Sequence, residues 1–422
     1  MHQERAPAWL GQVSTRSVRY GRSGLALLAV LGLTARTAAA QWPQWGGPQR
    51  DFQSAAGELA DAWPEAGPKL LWERALGPGY SSLVVEGERV FTLYESGEEE
   101  VVVALDAATG ATVWEHRYAT EEGNAPPNST PVLAGERIYT LGFFGQLTAL
   151  ERASGKLVWS HDLVKEYGSQ APMFGFAASP LVHGDTLIVP AGGKGYGVAA
   201  FALADGKLLW HGQDFVEIYA SPLLIEVGGE TQVVVLAQEE LAGLDPATGK
   251  KLWSETVING GGQNITTPLW SADGMLLVTT GTEGSLALRL TQAEGKTRVE
   301  RAWKSPHNVF QTTVVRAGAH LLGSTYIAEK DVVAAFDPKD GSLAWQLPGF
   351  SAANVLVADG KLVLLDYEGR LALASAGPEG PRVHSQAKVL GSQVFTPPSL
   401  VGTRLFARDP AVLKAFELGA TK

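Results

Sequence analysis

The amino-acid sequence predicts an all-β protein, an eight-bladed β-propeller with four-stranded blades. Two periodic patterns and one feature of the composition indicate this class. A phrase that ends in tryptophan recurs along the chain, a glycine turn between apolar segments occurs eight times, and glycine supplies 49 of the 422 residues. Because glycine readily adopts the backbone conformations of tight turns, this composition favours many short strands joined by turns.

The recurring phrase has the form Ala-x-Asp-x-x-(Thr/Ser/Asp)-Gly-x-x-x-Trp. We interpret it as a strand, a turn and a second strand, because aspartate can accept hydrogen bonds from turn amides and glycine takes the positive-φ position. The phrase occurs, with small variations, in five segments: Ala104–Trp114, Ala149–Trp159, Ala200–Trp210, Gly243–Trp253 and Ala335–Trp345. A large ring at one place in each repeat suits packing between neighbouring sheets. With two tryptophans that lack the full phrase, the predicted docking residues are Trp72, Trp114, Trp159, Trp210, Trp253, Trp303 and Trp345.

The glycine turns give an independent count of the repeats. They lie between apolar segments that we interpret as strands, and they occur at Gly87, Gly135, Gly184, Gly228, Gly274, Gly318, Gly360 and Gly402. Their spacing of 42 to 49 residues matches a four-stranded blade. An open β-solenoid is the alternative, but its repeats are usually shorter. Eight turns therefore predict eight blades.

The two ends of the repeat region predict how the ring closes. The last repeat has strands up to Leu418 but no room for an outermost strand, whereas residues 69–72 provide an outermost strand with no inner strands before it. Pairing of these fragments would complete one blade and remove exposed sheet edges. We therefore expect a single propeller at residues 69–418, an N-terminal extension at residues 41–68 and a tail at residues 419–422.

The first forty residues have the features of a signal peptide. Three arginines between residues 16 and 22 precede an apolar run at residues 24–33, and three alanines end the segment at Ala40. The apolar run is shorter than the roughly 20 residues that a membrane-spanning helix needs. No two arginines are adjacent, which favours the general secretory route over the twin-arginine route. We expect cleavage before Gln41 and a periplasmic or extracellular protein.

Charge and composition exclude several functional classes. From Gln41 onward the formal net charge is −14, because residues 1–40 contain five arginines and one glutamate. Such a balance is poor for binding nucleic acid or an anionic membrane surface. No later segment has 18 uninterrupted apolar residues, so we expect no transmembrane span in the mature chain.

The absence of cysteine excludes disulfides, thiolate metal sites, a cysteine nucleophile and a lipidated N-terminal cysteine. The sequence also lacks the zinc-binding and serine-nucleophile motifs, and Gly243–Lys251 resembles a phosphate-binding loop only superficially. We therefore predict no catalytic residues, no metal ligands and no cofactor.

The tryptophan phrase resembles the docking repeat of pyrroloquinoline-quinone-like (PQQ-like) propellers. That superfamily includes the quinoprotein alcohol dehydrogenases and the BamB-type outer-membrane assembly proteins. The opening Trp42-Pro-Gln-Trp-Gly-Gly-Pro48 also resembles the start of exported bacterial members. The resemblance covers residues 42–418 and implies the fold; because its repeated residues form the packing framework, it does not decide the chemistry.

Two departures from the resemblance bear on function. The related dehydrogenases bind the quinone beside a calcium or lanthanide ion, commonly against a disulfide of adjacent cysteines, and use an aspartate base. This chain has no cysteine and no recognisable counterpart of that acidic cluster. BamB-type proteins are usually lipoproteins anchored through an N-terminal cysteine, which is also missing, so we expect no lipid anchor.

Propeller geometry predicts where a ligand would bind. Loops that lead to the innermost strands share one face with the loops between second and third strands, and loops on a rigid scaffold commonly carry function. The candidate residues at this mouth are Tyr80, Asn128, Tyr219, Asn264, Gln311 and Phe395. They could contact a polar ligand or an extended peptide, or they could only fill the narrow end of each blade.

The longest of these loops carries a second candidate feature. It runs from Trp159 to Pro180 and contains Met173, Phe174 and Phe176. These side chains could form an apolar contact patch, or they could fold inward and plug the channel.

Three functions follow from these patterns. The first is an exported, non-enzymatic and monomeric propeller that binds proteins or peptides, with the BamB resemblance implying cell-envelope assembly. The second is a quinone-dependent oxidoreductase that uses PQQ with calcium. The third is a carbohydrate-binding propeller that uses mouth aromatics such as Tyr80 and Tyr219.

Overall fold

In a computed structural model, eight sheets arranged in a ring make up the part of the protein that the structure describes. The structure describes residues 41–55, 57–120, 126–257, 263–327, 330–377 and 380–420. The predicted signal peptide at residues 1–40 and residues 421–422 of the predicted tail lie outside the described residues. Within the described ranges, no helix has the length and apolarity that crossing a bilayer requires.

Each sheet contains one blade of four strands, and the sheet of blade 7 has Gln53–Ser54 as an additional parallel strand at its inner edge. The blades are numbered here in chain order, and their strands are given from the innermost to the outermost. Blades 1 and 2 are Val84–Glu86, Arg89–Ser96, Glu99–Asp106, Thr112–Ala119; and Val132–Ala134, Arg137–Leu141, Gln146–Glu151, Leu157–Asp162. Blades 3 and 4 are Leu181–His183, Thr186–Pro190, Val198–Ala202, Leu208–Gly212; and Leu223–Val227, Glu230–Leu236, Glu240–Leu244, Lys251–Thr256. Blades 5 and 6 are Leu269–Ser271, Met275–Thr279, Ser285–Ala293, Lys296–Ser305; and Val315–Ala317, His320–Ile327, Lys330–Phe336, Leu343–Pro348. Blade 7 is Asn354–Ala358, Lys361–Leu365, Arg370–Gly377, Gly380–Lys388.

Blade 8 joins the two ends of the ring. Its inner three strands are Ser399–Val401, Arg404–Arg408 and Val412–Glu417, and its outermost strand is Lys69–Ala75. The last two pair antiparallel, with Lys69 opposite Glu417 and Ala75 opposite Val412. The prediction of an eight-bladed propeller closed by its N- and C-terminal strands is therefore confirmed.

The glycine turns set the start of every blade. All eight of them have φ between +55° and +82°, which an L side chain adopts only under strain. Each turn joins an innermost strand to the second strand of its blade. The middle strands that follow are packed on both faces, so they are apolar runs: residues 101–105 of blade 1 are fully buried.

The tryptophans link each blade to the next. In five cases the indole N–H donates to a backbone oxygen in the third-to-fourth-strand turn of the following blade, at 2.9 to 3.1 Å. These five are Trp72, Trp114, Trp159, Trp210 and Trp303. Each ring also lies against the glycine of that turn, so that a Cβ on Gly110, for example, would stand 2.6 Å from the Trp72 ring.

Two tryptophans depart from this arrangement for a common reason. Blades 5 and 7 replace the short turn of the phrase with long hairpins, Ser285–Ser305 and Arg370–Lys388. The preceding tryptophans consequently lack their usual acceptor. The indole N–H of Trp253 donates instead to Oε1 of Gln232 in its own blade at 2.7 Å, and Nε1 of Trp345 is buried without a hydrogen-bond partner among the described residues.

Candidate functional site

The two ends of the ring differ in construction, and the candidate residues belong to one of them. Every innermost strand runs from the end that carries the long loops, here called the loop face, to the end that carries the tight glycine turns, the turn face. The predicted mouth residues all precede innermost strands, so they lie at the loop face.

Hydroxyl side chains at the start of the innermost strands tie neighbouring blades together. Oγ1 of Thr130 accepts from the N–H of Ser82, Oγ of Ser179 accepts from the N–H of Thr130, and Oγ of Ser221 accepts from the N–H of Ser179, at 2.9 to 3.0 Å. All of these hydroxyls are buried. The serines and threonines that mark this position in the sequence therefore hold adjacent blades in register in blades 1 to 4.

One aromatic cluster forms where blades 7, 8 and 1 meet. The ring of Phe395 makes edge-to-face contacts with Tyr80 and Tyr367, with centroids 5.8 and 5.1 Å apart. All three residues are half-buried. Sequence analysis found Tyr80 and Phe395 but missed Tyr367, which lies between the second and third strands of blade 7. The sequence analysis could have found Tyr367, because loops between the second and third strands lie on the same face as the mouth.

A second cluster surrounds the long loop between blades 2 and 3. Nδ2 of Asn128 donates to the backbone oxygen of Phe174 at 2.8 Å, and the ring of Phe174 lies 6.1 Å from that of Tyr219. Tyr219 is buried, and this burial raises the pKa of its hydroxyl. Loop residues that precede blades 2 and 4 thus position Phe174, whose side chain is half exposed.

The three apolar residues of the long loop take different positions. Met173 and Phe174 are 76% and 50% exposed, whereas Phe176 is 3% exposed and packs against Gly145. Met173 and Phe174 together are here called the loop patch. The loop itself is ordered by the short helix Leu163–Tyr167, whose N-cap Asp162 accepts from the N–H of Lys165 and whose C-cap is Gly168 with φ +68°.

The two remaining mouth candidates join neither cluster through the contacts described. Asn264 is buried, and its amide donates to the backbone oxygens of Ala237 and Gln238 at 3.0 and 2.9 Å. This side chain therefore holds a loop of blade 4 in place. Gln311 is exposed and has a left-handed backbone with φ +57°. Residues 260–262, which precede Asn264, lie outside the described ranges.

The channel on the propeller axis is filled by residues 42–54, here called the plug, which sequence analysis assigned only to the N-terminal extension. Trp42 exchanges two backbone hydrogen bonds with Val85 of blade 1, at 2.8 and 2.9 Å. Further hydrogen bonds join Pro43 to Leu133 of blade 2, Arg50 to Pro180 before blade 3, Trp45 to Thr267 before blade 5, Phe52 to Val357 of blade 7, and Ser54 to Leu400 of blade 8. A segment that contacts six blades around a ring must lie on its axis.

The plug enters and leaves by the same end of the channel. Trp42 is antiparallel to the innermost strand of blade 1, whereas Gln53–Ser54 is parallel to the innermost strand of blade 7. Because all innermost strands run toward the turn face, the plug rises from that face and returns to it. Trp42 and Phe52 are 1% and 4% exposed and belong to the largest apolar core.

Arg50 is a buried cation within the plug. Nη1 donates to Oε1 of Gln44 and to the backbone oxygen of Pro180, at 3.1 and 3.3 Å, whereas Nε and Nη2 have no hydrogen-bond partner in the described part of the chain. Within the same residues no carboxylate forms an ion pair with it. Desolvation lowers the pKa of the Arg50 guanidinium to about 9.

While the plug fills it, the axial channel does not fit the quinone and metal ion that the resemblance to PQQ-like dehydrogenases implies. Aromatic side chains of the plug fill it, and in the described ranges no three His, Asp or Glu side chains gather as metal ligands. A cleft of about 200 Å³ lies away from the axis, between blades 4 and 5, and is lined by Thr256, Glu283 and Arg301. The geometry assigns no catalytic step to these residues.

Comparison with solved structures finds the same ring. The crystal structure of BamB from Moraxella catarrhalis is similar with a TM-score of 0.62 at 17% identity, covering 85% of this chain and 99% of that one. A quinohemoprotein alcohol dehydrogenase from Pseudomonas putida gives 0.65 at 13% identity, with 91% and 81% covered. The computationally designed Ika8 protein gives 0.56 at 13%, with 83% and 99% covered. At these identities the similarity shows the fold alone.

Sequence comparison is more specific about the family. No curated protein sequence matches the chain. A family model described as outer membrane protein assembly factor BamB matches residues 97–347, which is more than half of the 422 residues. The chain therefore belongs to the BamB-like family of PQQ-repeat propellers.

Proposed function

We propose that this protein is an exported, non-enzymatic scaffold that binds protein or peptide partners at its loop face during outer-membrane protein assembly. The observation that carries the proposal is the loop patch. Met173 and Phe174 are exposed apolar side chains on a loop that a capped helix and Asn128 hold in place. An aromatic ring that is already positioned loses little conformational entropy when a partner covers it.

The family description supports the direction of the proposal. It names outer-membrane protein assembly, and one similar solved structure is a BamB. The formal charge of −14 from Gln41 onward argues for protein partners rather than nucleic acid. We further propose that the protein is exported through the signal peptide at residues 1–40 and acts as a monomer in the periplasm.

The first test measures binding of an unfolded outer-membrane β-barrel polypeptide to the mature protein by fluorescence anisotropy. Replacing both patch residues, M173S with F174S, should weaken this binding about tenfold, because about 1.4 kcal/mol of apolar contact is lost. The matched control is L157S with L209S, whose side chains are 45% and 48% exposed on outermost strands. Equal weakening by the two pairs, or no effect of the first, would contradict the proposal.

Titration with PQQ, with and without calcium, tests the enzyme alternative on the same preparation. We expect no heat of binding and no change in melting temperature. Micromolar binding with a raised melting temperature would overturn the non-enzymatic proposal and direct the search for a quinone site to the loop face.

A further inference from the structure

We propose that the axial channel is a binding site for an extended peptide, and that the chain's own plug occupies it until a partner segment takes its place. The plug shows the chemistry that the channel accepts. Its backbone bonds to the free edges of the innermost strands through Trp42, Pro43 and Phe52, and its two buried rings fill the space between them. This is recognition by strand addition with aromatic anchors.

The path of the plug permits its release while the ring stays closed. Both of its ends lie at the turn face, so it can withdraw as a hairpin without threading through the channel. The backbone contacts that join it to the innermost strands are few within the described ranges: a two-residue parallel pairing of Gln53–Ser54 with blade 7 and, outside it, two hydrogen bonds with Val85, one with Leu133 and one from Val357 to Phe52. No blade loses a strand of its own when the plug leaves, because Gln53–Ser54 is a fifth strand on blade 7.

The closed state also contains features that oppose it. The guanidinium of Arg50 is buried with two nitrogens unpartnered among the described residues, and both Arg50 and Phe52 have left-handed backbones with φ of +59° and +56°. Burial of an unpaired charge and positive φ at residues other than glycine both cost free energy. Release to the turn face removes all three costs, whereas exposure of Trp42 and Phe52 opposes it. A partner that supplies equivalent rings and an extended backbone to the channel favours release of the plug.

The test uses the natural absence of cysteine. One variant of the full mature chain carries S54C in the plug, and its control carries S399C in the innermost strand of blade 8, where the side chain is fully buried. Thiol labelling is measured with increasing concentrations of a synthetic peptide that has the sequence of residues 41–56. A peptide that binds only the open channel raises the open fraction in proportion to its concentration, so labelling at position 54 should rise about tenfold or more while position 399 stays unchanged.

Hydrogen exchange makes the result independent of the cysteine variants, and R50M introduced into the S54C chain tests the role of Arg50. In the unmodified protein, the amides of Val85, Leu133 and Val357 should exchange hydrogen faster than amides of the middle strands, because their acceptors among the described residues are carbonyls of the plug. R50M should slow labelling at position 54, since the unpaired charge no longer favours release. A control peptide with alanine at the positions of Trp42 and Phe52 should have no effect.

The proposal fails if positions 54 and 399 label in parallel at every peptide concentration and the three wall amides exchange only on global unfolding. Faster labelling of R50M would overturn the argument that Arg50 opposes closure. This site is distinct from the loop patch. The M173S/F174S variant should therefore respond to the peptide like the unmodified protein, so that failure of one proposal is separable from failure of the other.

Discussion

At the scale of single residues, burial raises the pKa of the Glu100 carboxyl group. Glu100 is 1% exposed and lies between blades 1 and 2, where it accepts from the Tyr118 hydroxyl at 2.5 Å and from the N–H of Phe143 at 2.7 Å. Desolvation raises the pKa of Glu100 to about 7, with a further increase from the nearby Glu95 that the two hydrogen bonds oppose. Between about pH 4.5 and pH 7, the folded protein consequently keeps a proton on Glu100 that the unfolded chain has released.

This difference predicts how stability depends on pH. Because the pKa is higher in the folded state, the contribution of Glu100 is fully present below about pH 4.5 and is lost as the pH rises through about 7. The loss in unfolding free energy amounts to about 3 kcal/mol. E100Q should remove it, so urea unfolding at pH 5 and pH 8 should show a smaller difference for the variant than for the unmodified protein. The control is E98Q in the exposed part of the same acidic run; an identical response of both variants would contradict the assignment.

At the scale of structural elements, the turn of each repeat and the tryptophan before it form one unit. Gly110 and Gly87 have similar left-handed backbones, with φ of +71° and +58°. A Cβ on Gly110 would meet the Trp72 ring at 2.6 Å, whereas one on Gly87 would meet no atom within 4 Å. The two glycines thus separate the conformational requirement of a turn from the contact between blades.

Alanine substitution should distinguish these two roles. G87A should cost about 1 kcal/mol, the strain of an L residue at positive φ. G110A should cost about 2 to 4 kcal/mol, because the ring must also move out of a packed site. The difference in urea midpoint between the two variants measures the docking contact. Equal midpoints would show that the tryptophan does not press on the turn.

The elements were more predictable from the sequence than the mouth. The spacing of Trp114, Trp159 and Trp210 and of the glycine turns reflects local structure. Because the chain repeats this local structure, the sequence contains several independent indications of it. The hydroxyl hydrogen bonds between blades at Thr130 and the burial of Glu100 depend on which neighbour faces each side chain. Glu98, Glu99 and Glu100 look alike in the sequence, yet only the last is buried, and nothing local distinguishes it.

At the scale of the whole molecule, closure and filling of the ring depend on contacts across nearly the full chain. Lys69 pairs with Glu417, and Ser54 donates to the backbone oxygen of Leu400. The periodicity predicted that the strands of the first contact pair, because an incomplete blade at each end requires a partner. It could not predict the second, because the plug belongs to no repeat.

Two truncations should separate closure from filling. A mature chain that begins at Lys69 lacks the plug but keeps the outermost strand of blade 8, and one that begins at Leu76 lacks both. The second should unfold at a clearly lower temperature and aggregate, because residues 412–417 become an exposed strand edge. Melting curves and light scattering check this; equal behaviour of the two truncations would show that the closing strand contributes little.

The pairing that closes the ring also fixes an order of events in time. A ribosome delivers Lys69–Ala75 more than 300 residues before Val412–Glu417. The first strand must wait, unpaired, while about seven blades are synthesised. Contacts of such long sequence separation form slowly, and blade 8 cannot be completed before residues 412–417 have been synthesised. Closure of the ring therefore follows synthesis of residue 412, and a chain that stops short of it leaves Lys69–Ala75 without a partner strand.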